Sequence, residues 1–325
     1  MRKIRALEVI GICLLSILLF KMTVRNASWI RTILTRQPDL QRRYQGGYAV
    51  ITGASSGIGK YIAYELAQRK FNLILIGSTR NKDTKAWLDP LFPTIDIVVL
   101  ENVDFSQSFQ PKFFERIFRT LDRYDISILV NNVASRSGWT KFEDMPAHIV
   151  QQTIAVGTLP QVRFMQYAIK RFETRSKSAI MTITAQCVHN TDLFAIQPTL
   201  TLPFLSVYEA SNAFGYFQAN SVYHELQKRN LNSKIDFLNI TPGAVITEKT
   251  KDMLSNVFSM SVPADQFAKK CVQLLGVVQG TQNAYWKHQV SGLVANAMPF
   301  AKQQILQTVG YDIASAYQKK AEGTV

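Results

Sequence analysis

The chain has 325 residues, 47% hydrophobic and 18% charged. That composition excludes a disordered or low-complexity protein and suffices for one large α/β core or two small ones. With 37 Lys and Arg against 23 Asp and Glu, the net charge is +14, which suits nucleic acid, an anionic membrane surface or an acidic protein partner. No nucleic-acid module and no long Arg/Lys block is present, so no nucleic-acid partner is expected and the membrane surface is favoured. Cys13, Cys187 and Cys271 are too scattered for a disulfide framework or a metal site.

Val9 to Phe20 (VIGICLLSILLF) is apolar apart from Ser16 and lies between Arg2, Lys3 and Arg5 on one side and Lys21 and Arg25 on the other. Twelve residues at ~1.5 Å each span about 18 Å, short of a ~30 Å hydrocarbon core. Extended over residues 6–24, the segment has Glu8 and Lys21 near its ends, where long side chains reach the headgroups. A signal anchor, a cleaved signal peptide and a mitochondrial presequence compete. The lack of a convincing small-x-small cleavage site and the strongly apolar character favour an uncleaved anchor in the lipid bilayer. Positive charge on both flanks leaves its orientation open. Residues 1–27 are therefore expected to be a membrane anchor. Residues 28–45, with Arg31, Arg36, Arg42 and Arg43, are expected to form a basic linker.

Strand and helix signals then alternate, the pattern of βαβ units on a parallel sheet. Short apolar runs predict strands at 48–51 (YAVI), 73–76 (LILI), 97–100 (IVVL), 126–130 (ISILV), 179–183 (AIMTI) and 235–240 (IDFLNI). Helical periodicity falls over 58–69, 108–121, two stretches within 145–172, 208–229 and 266–278. Residues 46–290 thus form one doubly wound dinucleotide-binding domain of Rossmann type. Residues 291–325 form an amphipathic helical tail, with Met298, Phe300, Ile305, Leu306, Val309 and Ile313. In such a sheet the ligand crevice lies at the carboxyl ends of the strands, near the switch point.

Thr52-Gly53-Ala54-Ser55-Ser56-Gly57-Ile58-Gly59 follows the first strand and opens the first long helix, the context a phosphate-binding loop needs. Glycine permits positive φ at the turn and close backbone approach to a pyrophosphate. The helix beginning near Ile58 directs amides and a positive dipole end at the phosphates. The second strand ends Ile76-Gly77-Ser78-Thr79-Arg80-Asn81-Lys82, without the acid that would bond a ribose 2′-OH. Arg80, Lys82 and Lys60 are candidates for a 2′-phosphate, so NADP(H) is expected over NAD. The alternative is that they are solvated loop charges.

These motifs resemble the short-chain dehydrogenase/reductases, and within them the membrane-anchored branch of very-long-chain 3-oxoacyl-CoA reductases and 17β-hydroxysteroid dehydrogenases. The resemblance runs from about Tyr48 to His288. It rests on Gly46 to Lys60, on Leu129-Val130-Asn131-Asn132-Val133, on Tyr208 with Ala213-Phe214, on Pro242-Gly243-Ala244-Val245-Ile246-Thr247 and on Tyr285-Trp286-Lys287-His288. It implies that Asp104 bonds the adenine and that Asn131 steadies the fourth strand beside the adenosine ribose. It also implies that Pro242, Gly243 and Thr247 border the nicotinamide. The family's usual arginine after the second strand falls at Ser78, with Arg80 as a substitute, and Ala134 stands near the cofactor where a glycine usually ends the Asn-Asn motif.

The resemblance also implies a catalytic set. A tyrosine protonates a carbonyl oxygen as hydride arrives, a lysine four residues on lowers the tyrosine pKa, a serine bonds the oxygen, and an asparagine holds a relay water. In this chain the tyrosine is Tyr208. The lysine position holds Asn212, the serine position Ala185 and the asparagine position Gly157. A neutral amide cannot electrostatically lower a phenol pKa, and alanine offers no hydrogen bond to a developing oxyanion. Thr184, Ser206 and His189 are candidate substitutes, although strand alternation turns Thr184 to the opposite face. The expectation is a membrane-anchored, NADP(H)-binding protein, inactive or impaired as an enzyme, serving as an accessory subunit with protein partners in a membrane complex. The alternatives are an active NADPH-dependent carbonyl reductase with a site reorganised around Tyr208, and a lipid-surface binding module. Family habit places the protein in the endoplasmic reticulum. The arginine-rich N-terminus leaves the inner mitochondrial membrane open.

Overall fold

The computed structural model describes residues 34–77, 80–134, 139–185, 203–248, 250–251 and 261–289, with residues 8, 9, 11–13, 16, 20, 308 and 311. In chain order the elements are α1 (Leu40–Tyr44), β1 (Tyr48–Thr52), α2 (Gly57–Gln68), β2 (Asn72–Ile76), α3 (Asn81–Leu88), β3 (Ile97–Leu100), α4 (Phe113–Leu121) and β4 (Ile126–Asn131). They continue with α5 (Ala147–Gly157), α6 (Leu159–Phe172), β5 (Ser178–Ile183), α7 (Ser206–Lys228), β6 (Ile235–Ile240), β7 (Val245–Ile246), β8 (Val262–Pro263), α8 (Ala264–Leu274) and β9 (Gly280–Gln282). Seven strands form one parallel sheet in the order β3-β2-β1-β4-β5-β6-β9, and β7 pairs with β8 apart from it. The chain winds outward from β1 to β3 and then restarts at β4 beside β1. The switch point therefore lies between β1 and β4.

The apolar runs read as strands because the sheet is covered on both faces. Side chains alternate between two cores. Ile51, Leu73 and Leu75 enter one with Ile62 and Leu66 of α2 and Phe267 and Cys271 of α8. Val50, Ile74 and Ile76 enter the other with Phe114 and Ile117 of α4, Phe164 of α6 and Leu226 of α7. At roughly 1.5–3 kcal/mol for each large side chain removed from water, these two layers hold the strand ends in place around the crevice.

Four elements had no sequence expectation: the short polar helix α3, the two-residue strands β7 and β8, and the edge strand β9. The helix expected over 108–121 begins only at Phe113, after a 3₁₀ turn at Phe105–Gln107. The expected linker 28–45 also differs, because from Gln37 onward it belongs to the folded unit. Gln37 Nε2 donates to the Val272 carbonyl at 2.9 Å, and Leu40 and Tyr44 of α1 are buried in the core. Asp236, at the start of β6, is the reason α1 docks. It accepts from Arg43 Nε at 2.6 Å, Arg43 Nη2 at 3.1 Å and Tyr44 Oη at 2.8 Å, and pairs with Lys177 Nζ at 2.8 Å. Burial alone would raise the Asp236 pKa. The hydrogen bonds from Arg43, Lys177 and Tyr44 outweigh it and hold the carboxyl below its ordinary value. Among the described residues no helix is long and apolar enough to cross a membrane. The expected anchor over residues 6–24 and the tail over 291–325 lie, apart from scattered residues, outside the described ones.

Candidate active site and dinucleotide crevice

β1 runs into the glycine loop, where Gly53 (φ 69°) and Gly57 (φ 57°) occupy the left-handed region. A Cβ on Gly53 would lie 3.0 Å from Val133 Cα, and one on Gly59 would lie 2.5 Å from the Gly53 carbonyl oxygen. Only glycine lets these backbones touch. The loop is also tied to β4. Thr52 Oγ1 accepts from the amides of Asn132 at 2.9 Å and Val133 at 3.1 Å, while Asn132 Nδ2 donates to the carbonyls of Thr52 at 3.1 Å and Gly53 at 3.2 Å. Ser55, Ser56 and Ile58 are half-buried along the loop. Ser56 is the N-cap of α2 but makes no side-chain cap; of the first-turn amides, Gly57 donates to Glu248 Oε2 at 3.0 Å and the helix end otherwise suits an outside acceptor. A backbone cradle at a helix N-terminus fits a dinucleotide pyrophosphate.

At the adenosine end, Ser78 lies outside the described residues. Of the three candidate cations, Lys82 pairs with Glu101 at 2.9 Å and Lys60 sits 4.6 Å over the Trp87 ring. Arg80 is exposed, has no such partner among the described residues and stands at the N-terminus of α3. Asp104 caps the following 3₁₀ turn, accepting from Ser106 N at 2.9 Å and Ser106 Oγ at 2.7 Å. Asn131, fully buried, donates from Nδ2 to the Gln161 carbonyl at 2.8 Å and so ties β4 to α6. Ala134 is exposed just past it.

At the reacting end, Tyr208 lies in the first turn of α7 and, like Phe204, packs against the cluster of Trp139 and Leu205. Asn212 is 5% exposed, and its Nδ2 donates to the Tyr208 carbonyl at 3.0 Å. The amide is turned onto its own helix. Ser211 Oγ donates to the same carbonyl at 2.7 Å. Ala185, buried, lies just past the end of β5. Gly157 ends α5 directly against α7, and a Cβ there would meet Ser211 Oγ at 2.7 Å and Ser211 Cβ at 2.8 Å. No asparagine side chain enters that position unless Ser211 moves. Of the candidate substitutes, Thr184 Oγ1 donates to Asn239 Oδ1 of β6 at 3.1 Å, Ser206 is exposed at the start of α7, and His189 lies outside the described residues.

After β6, Pro242, Gly243 and Thr247 are half-buried at the carboxyl end of the sheet. Buried His288 holds this turn. Its Nδ1 accepts from the Gly243 amide at 3.2 Å and its Nε2 donates to the Ala244 carbonyl at 3.2 Å. Burial first, with the charge of Lys287 adding, lowers the His288 pKa from 6.5 to about 4 against the opposing bond to Ala244. A histidine kept neutral in the fold stabilises it fully above its unfolded pKa near 6.5. That contribution, about 3 kcal/mol, is lost as pH falls from there through about 4. Thermal melts of the parent and His288→Gln at pH 7.5 and 4.5 are expected to show the larger acid loss in the parent. Equal losses would remove His288 as the cause.

Four residues here had no role assigned from sequence: Asn132, Ser211, Glu248 and His288. Asn132 and His288 sat inside quoted motifs, and Ser211 adjoins Asn212. Glu248 carried no signal, yet its Oε2 accepts from the Gly57 amide at 3.0 Å.

Residues 47–257 match the short chain dehydrogenase family. The chain belongs to that family. Within it, the chain falls in the branch of the 17β-hydroxysteroid dehydrogenases and very-long-chain 3-oxoacyl-CoA reductases. It is 27% identical to the mouse (Mus musculus) 17-beta-hydroxysteroid dehydrogenase type 3 over 269 residues, covering 81% of this chain and 79% of that protein. It is 27% identical to the very-long-chain 3-oxoacyl-CoA reductase of Yarrowia lipolytica over 309 residues, covering 88% and 75%. Among solved structures it is similar to a short-chain dehydrogenase from Sphingobium yanoikuyae in complex with NADPH, with a TM-score of 0.60, 21% identity and coverage of 78% and 95%.

Proposed function

We propose that this chain binds NADP(H) across the glycine loop and turns it over slowly or not at all, acting as an accessory subunit held at a membrane by its N-terminal segment. The observation that carries the reading is the Asn212 amide, bonded to the Tyr208 carbonyl where the family's lysine would offer an ammonium. Ala185 supplies no hydroxyl and Gly157 is closed off by Ser211. Losing a positioned general acid–base partner or an oxyanion donor costs orders of magnitude each, and such losses do not add simply. The glycine cradle and exposed Arg80 support the choice of cofactor, as does the NADPH held by the Sphingobium relative. NADPH, when bound, supplies hydride. A bound nucleotide also stabilises a fold without being consumed.

The relatives' names, which are those of dehydrogenases and reductases, and the retained Tyr208 favour a second reading, a carbonyl reductase working from Tyr208 alone. The two separate on one measurement. Purified protein with NADPH and either a 3-oxoacyl-CoA or a 17-ketosteroid is expected to oxidise the nucleotide no faster than the Tyr208→Phe variant. Steady oxidation by the parent at an ordinary enzymatic rate, lost in Tyr208→Phe, would establish the second reading. Placement at a membrane rests on the apolar stretch over residues 6–24 and its basic flanks; the endoplasmic reticulum follows from the family resemblance, with the inner mitochondrial membrane as the alternative left by the arginine-rich N-terminus.

A further inference from the structure

The first turn of α2 already holds an anion, and that anion belongs to the chain. The Gly57 amide, first in the helix, donates to Glu248 Oε2 at 3.0 Å. The contact is built from a defined turn. Thr247 N donates to Thr250 Oγ1 at 2.9 Å, and Thr250 Oγ1 donates to the Val245 carbonyl at 2.7 Å. Val245 and Ile246 are paired with Val262 and Pro263. The neighbouring Thr247 leans on the same glycine, since a Cβ on Gly57 would lie 3.1 Å from Thr247 Cγ2. Residues 247 and 248 thus close over the loop from the β6 side.

A helix N-terminus has a positive dipole end and amides lacking acceptors, so it selects an anion. A carboxylate satisfies it much as a phosphate oxygen would. Two anions cannot share it without strong repulsion. The surroundings add negative charge. Tyr61, one turn along α2, has its pKa raised by burial first and then by Glu248 and Asp265, so both carboxylates act on the Tyr61 phenol.

We propose that Glu248 sets the affinity of the nucleotide site: its carboxylate stands in for a cofactor phosphate at Gly57 and has to swing away before the pyrophosphate binds. The proposal rests on the reading that this crevice takes NADP(H). A bound pyrophosphate and the Glu248 carboxylate at Gly57 exclude each other, so nucleotide binding displaces Glu248 and the adjoining Thr247.

The test is a fluorescence titration of the purified full chain with NADPH at fixed salt, for the parent, Glu248→Gln and Asp265→Asn. Glutamine keeps the shape and removes the charge. Glu248→Gln is expected to bind at least about tenfold more tightly, the order of one charge-assisted hydrogen bond and one repulsion relieved. Asp265→Asn removes equal charge nearby without touching Gly57 and is expected to change Kd by less than about threefold. A second readout needs no nucleotide. The Gly57 amide resonance of ¹⁵N-labelled protein is expected to move in Glu248→Gln and not in Asp265→Asn. Equal Kd values for parent and Glu248→Gln overturn the proposal and leave the nucleotide reading standing. Equal tightening in Asp265→Asn also overturns it, because general charge would then explain the effect. Absence of NADPH binding by every protein up to millimolar concentration removes the nucleotide reading and this proposal with it.

Discussion

The double variant Ala185→Ser/Asn212→Lys is expected to oxidise NADPH with a ketone substrate at least about a hundredfold faster than the parent. Each substitution restores a group the chemistry needs. A hydroxyl aimed at a developing oxyanion is worth about 10²–10³ in rate. A cation that tunes the proton donor belongs to general acid catalysis, worth about 10²–10⁴. The gain falls short of the product because the groups act together. Gly157 stays as it is, since any Cβ there strikes Ser211, and the relay arm that the family's asparagine supplies remains missing. That caps the recovery well below the rate of an intact relative.

The single variant Asn212→Lys has its own signature. The position is 5% exposed, and an ammonium placed there without a counter-charge or hydrogen-bond partners is costly. Its melting temperature is expected to fall in the free protein and to recover more than the parent's when NADPH is added, because the ribose hydroxyls and phosphates supply partners. A double variant that binds NADPH yet stays at background turnover would show that the groups missing at positions 185 and 212 are not what limits turnover.

Asp236→Ala is expected to destabilise the fold by about 3 kcal/mol or more, the range seen when one partner of a buried ionic cluster is removed. The carboxylate is 2% exposed and gathers Arg43, Lys177 and Tyr44; Gln279 Nε2 donates to it as well, at 3.2 Å. Removing it leaves two cations and a phenol at the amino end of β6 without their common acceptor. The loss is local first. α1 should detach, and trypsin should cut at Arg42 and Arg43 under conditions where the parent resists. A urea midpoint unchanged from the parent, with no new cleavage, would disprove the role. The sign with pH follows from the lowered Asp236 pKa. Its contribution is present above the ordinary carboxylate range and is lost as pH falls through it.

Much of the molecule was readable before any coordinates. The runs YAVI, LILI, IVVL, ISILV, AIMTI and IDFLNI became strands because a parallel sheet is buried on both faces, and that burial writes an unbroken apolar string into the chain. The glycine loop was readable because its strand, spacing and helix are adjacent in sequence. That no lysine follows Tyr208 at the fourth position was readable directly, while the places of Ala185 and Gly157 in the site rest on the family resemblance. β9 was not, since Gly280–Gln282 carries no apolar run and pairs with β6 on one side only. α3 spans only eight residues, most of them polar, too short a stretch for a helical repeat to stand out.

What only the tertiary structure decided are contacts between residues far apart in the chain, where no local pattern exists to read. Arg43 meets Asp236 across 193 positions, which turns an expected linker into part of the core. Glu248 reaches Gly57 across 191, which places a carboxylate in the phosphate cradle. Gly243 meets His288, and Gly157 meets Ser211. Periodicity and propensity report which face of an element is buried. Which side chain fills the space opposite is set by how the sheet and helices pack. In this protein that packing determines how α1 is anchored, what occupies the nucleotide loop and why a side chain at position 157 has no room beside Ser211.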